Sequence, residues 1–460
     1  MQSRQSISDA LSIPQLRDAI NGRVIAPDDH GYDQARTVFY GGFDRRPAVI
    51  VRAADASDVS LVISLAHRTS LELAVRSGGH SVAGHSVTEG GIVLDLAEMK
   101  GLDIDVDTRT AWAQTGLTAG EYTTAAGVHG LATGFGDTGS VGIGGITLGG
   151  GVGLLVRKYG LTIDDLLAAE VVTADGQLVH TDVETHPDLF WAIRGGGGNF
   201  GVATRFQFRL HPLDTVVGGI LMLPATTEVV AGFMAESEAA PEELSTIGNV
   251  MKAPPMPFVP EEYHGQLVVM AMLVYAGKVE AGERVVRRFR ALGEPIVDMV
   301  KPMAYPEMYP PEEEYHPVAE GHTMFVDAID DRTADLILDR LKASTAMMSV
   351  TQLRVLGGAM ARVAREDTAF AHRKSRIMVN VAALYEDPTE KAEHEAWVMD
   401  LAAALRQSDN GAYVNFLGQD GEARIRQAYP GPTWDRLRAI KAHYDPTNLF
   451  RLNHTIPPSR

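Results

Sequence analysis

From Pro47 onward the apolar positions run together as AVIVRA. They then recur at helical spacing as Val59, Val62, Ile63 and Ala66, and then alternate as Leu71, Leu73 and Val75. This order predicts a strand, a helix and a half-buried strand, closed by the glycine loop of LELAVRSGGHS. GIVLDL and two pieces between Ile104 and Gly116 read as further strands, and TAGEYTTAAGVHG reads as a helix. EVVTADGQLVHT reads as a hairpin, with Asp175-Gly176 suited to the two positive φ angles of a type I′ turn. HPDLFWAIRGGGGNFG predicts a helix running into glycines, and VATRFQFRLHPL a strand.

The texture changes around Leu213. Glycine becomes sparse and longer amphipathic helices follow, such as VEAGERVVRRFRALG and TADLILDRLKAST. The apolar runs LVVMAMLVYA, HTMFVDAI and RIMVNVAALY interleave with them, which predicts a sheet with helices packed on one side. YVNFLG, a helix around TWDRLRAIKAHY and the stretch DPTNLFRLNHTIPP close the chain, with no internal repeat or low-complexity tract.

At 460 residues the chain exceeds one compact core and divides into at least two domains. A formal charge of -18 with no basic stripe argues against nucleic acid. No cysteine is present, so disulfides, thiolate metal sites, iron-sulfur clusters and cysteine nucleophiles are excluded. MQSRQSISDALSIPQLRDAI lacks the apolar core of a signal peptide and no run is long enough to span a bilayer, so a soluble, cytoplasmic protein is expected.

Candidate chemistry gathers in the glycine loops. Arg76-Ser77-Gly78-Gly79-His80-Ser81 follows a strand and can turn several N–H groups toward one anion, although an ordinary turn has the same composition. A second cradle runs from Gly139 to Gly145 and continues through Gly149, Gly150, Gly151 and Gly153. So much glycine makes best sense where a large flat ligand lies against backbone, and two cradles favour a dinucleotide. Gly196, Gly198 and Gly201 match G-x-G-x-x-G, but a helix precedes and a strand follows, the reverse of the nicotinamide-binding context. His394-Glu395 is followed by Val398 where a zinc helix needs its second histidine, so no metal site is expected, and no G-x-S-x-G elbow marks a hydrolase.

RSGGHSVAGHS (Arg76 to Ser86), GSVGIGG with TLGGGVGLLVRKYGL (Gly139 to Leu161), PDLFWAIRGGGGNFGV (Pro187 to Val202) and YDPTNLFRLNHTIPP together resemble FAD-linked oxidases of the vanillyl-alcohol-oxidase and p-cresol-methylhydroxylase (PCMH-type) fold, berberine-bridge-enzyme-like branch. The resemblance covers almost the whole chain in order. It implies an α+β architecture with a PCMH-type FAD-binding domain of two α+β subdomains over residues 1–213. A substrate domain, a sheet covered by helices, takes 214–410, and a C-terminal segment, 411–460, returns to the FAD part. It further implies that FAD lies against Arg76, Ser77, Gly78, Gly79, His80, Ser81, His85, Ser86 and Gly116 on one side. The second group is Thr138, Gly139, Ser140, Val141, Gly142, Gly144, Gly145, Gly150, Gly201, Val202 and Asn453.

His80 stands where relatives bond covalently to the flavin 8α-methyl carbon, and a neutral imidazole is a competent nucleophile for that step. The cysteine that adds a second flavin bond in many relatives falls on Thr138, so a doubly bonded flavin is excluded and a carbohydrate substrate is less favoured. Val141 falls where relatives control oxygen access, and a small side chain there is permissive, which favours an oxidase over a dehydrogenase. Simple packing is the alternative.

Hydride loss from an alcohol or amine carbon needs a group that takes the heteroatom's proton. Tyr413 resembles the catalytic tyrosine of the plant branch, with Asn415 in the same motif, and acts as a base if a cation lowers its pKa; a packed aromatic with a bonded hydroxyl is the alternative. A second tyrosine of some relatives aligns with Val152, so that base network is incomplete. Asn453 approaches the flavin in relatives, while His454 replaces a commoner glutamine. Arg157-Lys158-Tyr159 reads either as positive charge near the flavin or as solvated surface, and His316, His322 and His372 are candidate pocket residues. The expected function is an FAD oxidase of a small organic substrate that reduces O2 to hydrogen peroxide. The alternatives are a flavin dehydrogenase, a flavin-binding protein without turnover, and a nicotinamide dehydrogenase. Substrate and oligomeric state are not legible.

Overall fold

The computed structural model describes residues 12–311, 316–419 and 421–459, so part of the N-terminal reading above lies outside the described residues. The predicted strand, helix and strand form the start of a four-stranded sheet, ordered β1 (Arg23–Ile25), β2 (Val49–Arg52), β4 (Ile92–Asp95) and β3 (Leu73–Arg76), in which β2, β4 and β3 run parallel. The crossover helix Ala56–Thr69 starts at Asp55, whose carboxylate accepts from the backbone N–H of Ser57 and Asp58. Its Val59, Val62, Ile63 and Ala66 cover one face of the sheet, and Tyr32 and Ala35 cover the other against Ile50, Ala74 and Val93. β3 is therefore buried on both faces rather than half-buried, because a parallel sheet takes cover on both sides.

A second, antiparallel sheet follows the order β5 (Leu102–Asp105), β6 (Thr110–Gln114), β10 (Val202–Arg209), β8 (Leu166–Val172) and β9 (Leu178–Asp182). The short strands β7 (Leu131–Ala132) and β11 (His211–Pro212) pair beside it. The β8–β9 hairpin differs from the type I′ expectation. Of the pair Asp175-Gly176 only the glycine has positive φ, 81°, and the Asp175 carboxylate instead accepts from Thr173 Oγ1 and the Gln177 N–H. An Asx-stabilised loop closed by one left-handed glycine replaces the tighter turn.

The third sheet begins with β12 (Thr215–Pro224) and continues through β13 (Leu244–Lys252), β14 (Leu267–Tyr275), β15 (Val297–Asp298), β16 (Lys301–Ala304), β17 (Val318–Val326), β18 (Met348–Val355) and β19 (Ile377–Tyr385). Its eight strands are all antiparallel, in the order β15-β12-β14-β13-β18-β19-β17 with β16 alongside β12. Helices Thr227–Ala239, Val279–Arg290, Asp331–Ala343 and Lys391–Leu405 bury their apolar stripes on one face of it. The other face looks toward the first half of the chain. Ile247 and Val274 enter the core of the second sheet, while Phe325 and Met378 pack with Val152 and Tyr413. The last helix, Pro432–Tyr444, returns Trp434, Leu437, Ile440 and Tyr444 to that same core, and Leu449 and Phe450 join the core of the first sheet.

Arg157 and Lys158 fit neither expectation. Arg157 is 6% exposed and donates to the Ser237, Ala240 and Leu244 carbonyls, and Lys158 Nζ donates to Ala276 O. Arg157 closes the end of helix Thr227–Ala239, and both residues tie the two halves of the molecule together.

Candidate functional site

β3 delivers its chain directly into the first glycine loop. A Cβ at Gly78 would come within 2.2 Å of Gly142 N, and one at Gly142 within 2.2 Å of both Gly78 N and Ser77 Oγ. The two predicted cradles therefore meet backbone to backbone, and only glycine allows it. Ser77 Oγ staples them by donating to Thr115 O at 2.5 Å and accepting from Gly144 N at 3.3 Å. His80 projects from the junction, half-buried. Its ring stacks on Phe39 at 4.0 Å, and Nε2 lies 3.0 Å from Ser140 Oγ. Ser81 Oγ accepts from the His85 N–H, which folds the second GHS back toward the first.

Four of the expected contact residues also make close contacts within the protein. Arg76 points into the core, where it donates to Asp95 Oδ2 at 2.8 Å and to the Ala35 and Thr37 carbonyls. Gly116 lies against Leu96 O and Gly201 against Val171 and Val172. Gly150 faces the rings of Phe370 and Tyr413. The run from Gly149 to Gly153 is accordingly explained by protein packing. A Cβ at Gly149 would strike Asn415, one at Gly151 would strike Thr162, and one at Gly153 would strike Phe135 O.

That packing builds the acid-base centre. Tyr413 is 2% exposed, and its hydroxyl oxygen accepts from Gly151 N at 3.1 Å, Val152 N at 3.2 Å and Asn415 Nδ2 at 3.0 Å. Burial raises the phenol above its usual pKa of 10. These three donors and the Arg354 guanidinium oppose the rise. Arg354 is buried, donates to Asp137 Oδ2 at 2.7 Å and to Val152 O at 3.4 Å, and sits 5.3 Å over the Phe416 ring. Sequence reading missed it. A lone arginine in a strand of mixed polarity carried no motif, and its nearness to Tyr413 exists only in the fold.

The tail closes the site through a buried polar network. Lys441 and Asp445, both fully buried, pair at 2.6 Å, and Lys441 Nζ also donates to Asn199 O and Phe450 O. Asn199 in turn donates to His454 O and accepts from the Ile456 N–H, while Asn453 Nδ2 donates to Gly198 O. The candidate pocket histidines are not brought together. His316 is bonded to Phe39 O, His372 to the Gln427 and Ala428 carbonyls, and His322 shares the helix-covered face of β17 with Met324 and Val326. His394 is buried against Tyr385. Among the described residues there is no group of three or more His, Asp or Glu side chains able to hold a metal, and no helix is long and apolar enough to cross a membrane.

His85 and His454 meet edge to face at 4.8 Å. Burial, with each other's charge and Arg45 adding to it at His85, lowers His85 to about 3, and burial lowers His454 to about 4. Both are neutral at pH 7. Below pH ~6.5 the unfolded chain takes up protons that the folded one refuses, so stability falls with falling pH. Denaturant melts at pH 7.5 and 5 should show the wild type losing about 2 kcal/mol more per histidine than the double variant His85→Gln/His454→Gln. Equal losses would mean the pair titrates normally.

The residues present fit a flavin dinucleotide. Asn453 Oδ1 is buried without a partner, and Cβ atoms built on Gly145 and Gly198 would meet nothing within 4 Å, so the cradle has both open surface and an unused acceptor. The parallel sheet, the joined glycine loops and the returning tail define a flavin-binding oxidoreductase. Residues 47–182 match the FAD binding domain family, and residues 412–457 match the family described as berberine and berberine like. (R)-6-hydroxynicotine oxidase of Paenarthrobacter nicotinovorans is 32% identical, covering 96% of this chain and 97% of the relative. Tetrahydroberberine oxidase of Berberis wilsoniae is 29% identical over 92% of this chain and 87% of its own. The solved structure of 6-hydroxy-D-nicotine oxidase from Arthrobacter nicotinovorans superposes with a TM-score of 0.86 at 28% identity, covering 98% of this chain and 100% of that one. The chain belongs to the FAD-linked oxidoreductases of the berberine-bridge-enzyme-like family.

Proposed function

We propose that the protein is an oxidase that removes a hydride from an alcohol or amine carbon of a small organic substrate and returns hydrogen peroxide, with its flavin held by a single bond to His80. The observation that carries this reading is the Tyr413 hydroxyl, which receives three N–H donors beside the joined glycine loops. In this reading residues 1–213 and 411–460 hold the cofactor and 214–410 cover the substrate, supported by the return of Trp434, Leu437 and Phe450 to the cores of the first half.

FAD, when bound, would supply the hydride acceptor and the route of the two electrons to O2. The Tyr413 oxygen, deprotonated and with its charge stabilised by the Gly151, Val152 and Asn415 donors, takes the proton from the substrate's hydroxyl or amine, and the negative charge passes to the substrate and leaves with the hydride. Ser77, Gly78, Gly142 and Gly144 would shape the cradle, Asn453 Oδ1 would offer it a buried acceptor, and His80 would be the residue that bonds the flavin. Val141 leaves the approach of O2 open. The relatives named as oxidases support the same chemistry.

Acid precipitation tests the cofactor linkage. Yellow colour should stay with the wild-type polypeptide and wash out of His80→Ala. Colour released from the wild type would reduce His80 to a contact residue, and a colourless native protein would sink the reading. Oxygen uptake with one peroxide formed per substrate oxidised separates oxidase from dehydrogenase.

A further inference from the structure

On the face of the large sheet turned away from its helices, four strands contribute one side chain each to a single register row. Asn249 of β13 lies opposite Gln352 of β18, Gln352 opposite Asn380 of β19, and Asn380 opposite Thr323 of β17. The next row along the strands is Ile247, Arg354, Met378 and Phe325. It packs directly on the Val152 loop and the cluster around Tyr413. The polar row therefore begins about 7 Å beyond the Tyr413 surface, two residues along each strand, with neighbouring members about 4.8 Å apart.

Half of the row is internally satisfied and half is not. Gln352 Nε2 donates to Asn249 Oδ1 at 3.0 Å, and Gln352 Oε1 accepts from Arg354 Nε and Nη2 at 2.9 and 2.7 Å. The carboxamide of Asn380, half-buried, has no hydrogen-bond partner among the described residues, and Thr323 Oγ1 beside it is buried without one. Unpaired polar groups side by side at the edge of a reaction site are what a ligand's oxygens complete. The nearby charge is settled separately, since Arg354 has Asp137 at 2.7 Å, which leaves no carboxylate in the row to receive a cation. Met270 borders the row at Asn249, and Phe416 lies beneath Arg354, so a flat ring finds soft apolar contacts around these amides.

We propose that Asn249, Gln352, Asn380 and Thr323 form the substrate-recognition surface, and that it selects an uncharged ring alcohol carrying further oxygen substituents over a cationic amine. The inference rests on the flavoenzyme reading above and narrows its substrate class. The row binds the outer oxygens of the ring, and Tyr413 faces the hydroxyl that is oxidised.

A matched pair of probes tests it, 3,4-dimethoxybenzyl alcohol and 3,4-dimethoxybenzylamine, which differ in the reacting group and its charge. The holoenzyme, with its flavin first verified by visible spectrum, is titrated anaerobically while flavin absorbance is followed. The alcohol should reach half-saturation at a concentration at least tenfold below the amine. Asn380→Leu should raise the alcohol's value at least tenfold with flavin content and melting temperature kept, and Asn380→Asp should shift preference toward the amine. Flavin present with equal or stronger response to the amine, no response to either probe, or an unaffected Asn380→Leu variant would overturn this inference alone. Absence of flavin would overturn the parent reading and this one with it.

Discussion

Tyr413→Phe is expected to lower kcat/KM by about 10²- to 10⁴-fold, the range that removal of a positioned general base produces. The change deletes one oxygen from a fully buried ring and leaves Gly151 N, Val152 N and Asn415 Nδ2 without their acceptor. That loss costs about 1–3 kcal/mol for each stranded N–H; Asn415 Nδ2 keeps the Ile146 carbonyl, so Gly151 and Val152 bear it, and folding and flavin content of the variant are measured alongside the rate. The phenol receives three donors, while none of the described residues takes its own proton, so substrate is the partner the geometry leaves for it. Burial holds its pKa above 10, and the deprotonated form is the base, so kcat/KM of the wild type should climb with pH across the neutral to alkaline range. Tyr413→Phe should lose that slope along with the rate. Asn415→Ala, which removes one of three donors, should cost about tenfold or more while keeping the slope. A phenylalanine variant with wild-type kcat/KM and pH profile would move the proton acceptor elsewhere.

What the sequence revealed of this site and what it concealed divide along physical lines. The loops around Gly78 and Gly142 were legible because glycine in such density has few explanations, and in the fold each presses on the other's backbone. The run from Gly149 to Gly151 carried the same signal for a different reason, since it makes room for Asn415, Phe370, Tyr413 and Thr162. Composition cannot distinguish a ligand from a distant part of the chain as the object pressed against backbone. In the large sheet, β14, β17 and β19 stood out as apolar runs. β13 and β18 did not, because Asn249, Gln352 and Arg354 interrupt the side of them that faces the site. Asn380 and Thr323 lie on β19 and β17, so a single polar residue in a longer apolar run left the strand legible but hid its own place on the site face. Arg157 was misjudged from the habits of charged residues, whereas two helix-end carbonyls and the Leu244 carbonyl that opens β13 hold it in the interior.

Lys441→Met should destabilise the protein by about 3–5 kcal/mol, the loss that follows when one member of a buried ion pair is removed and the other stays charged. Burial already pushes the Lys441 pKa down, and Asp445 alone holds it up, so the two groups depend on each other. Asp445 also accepts from the Leu449 and Phe450 N–H groups, and Lys441 from its side binds the Asn199 and Phe450 carbonyls. The pair therefore joins the last helix, the loop from Gly195 to Gly201 and the tail that carries Asn453 and His454. Its loss should reach the cofactor as well, seen as less flavin per polypeptide in the purified variant. Lys441→Met/Asp445→Asn removes both charges and keeps a carbonyl for one of the two N–H groups. It should recover most of the stability, because a neutral buried replacement avoids the stranded carboxylate. Its flavin content should stay below wild type, since Asn199 O still lacks its donor. A single variant as stable and as yellow as the wild type would show that the tail is held by its apolar contacts, Leu449, Phe450 and Ile456, without help from the ion pair.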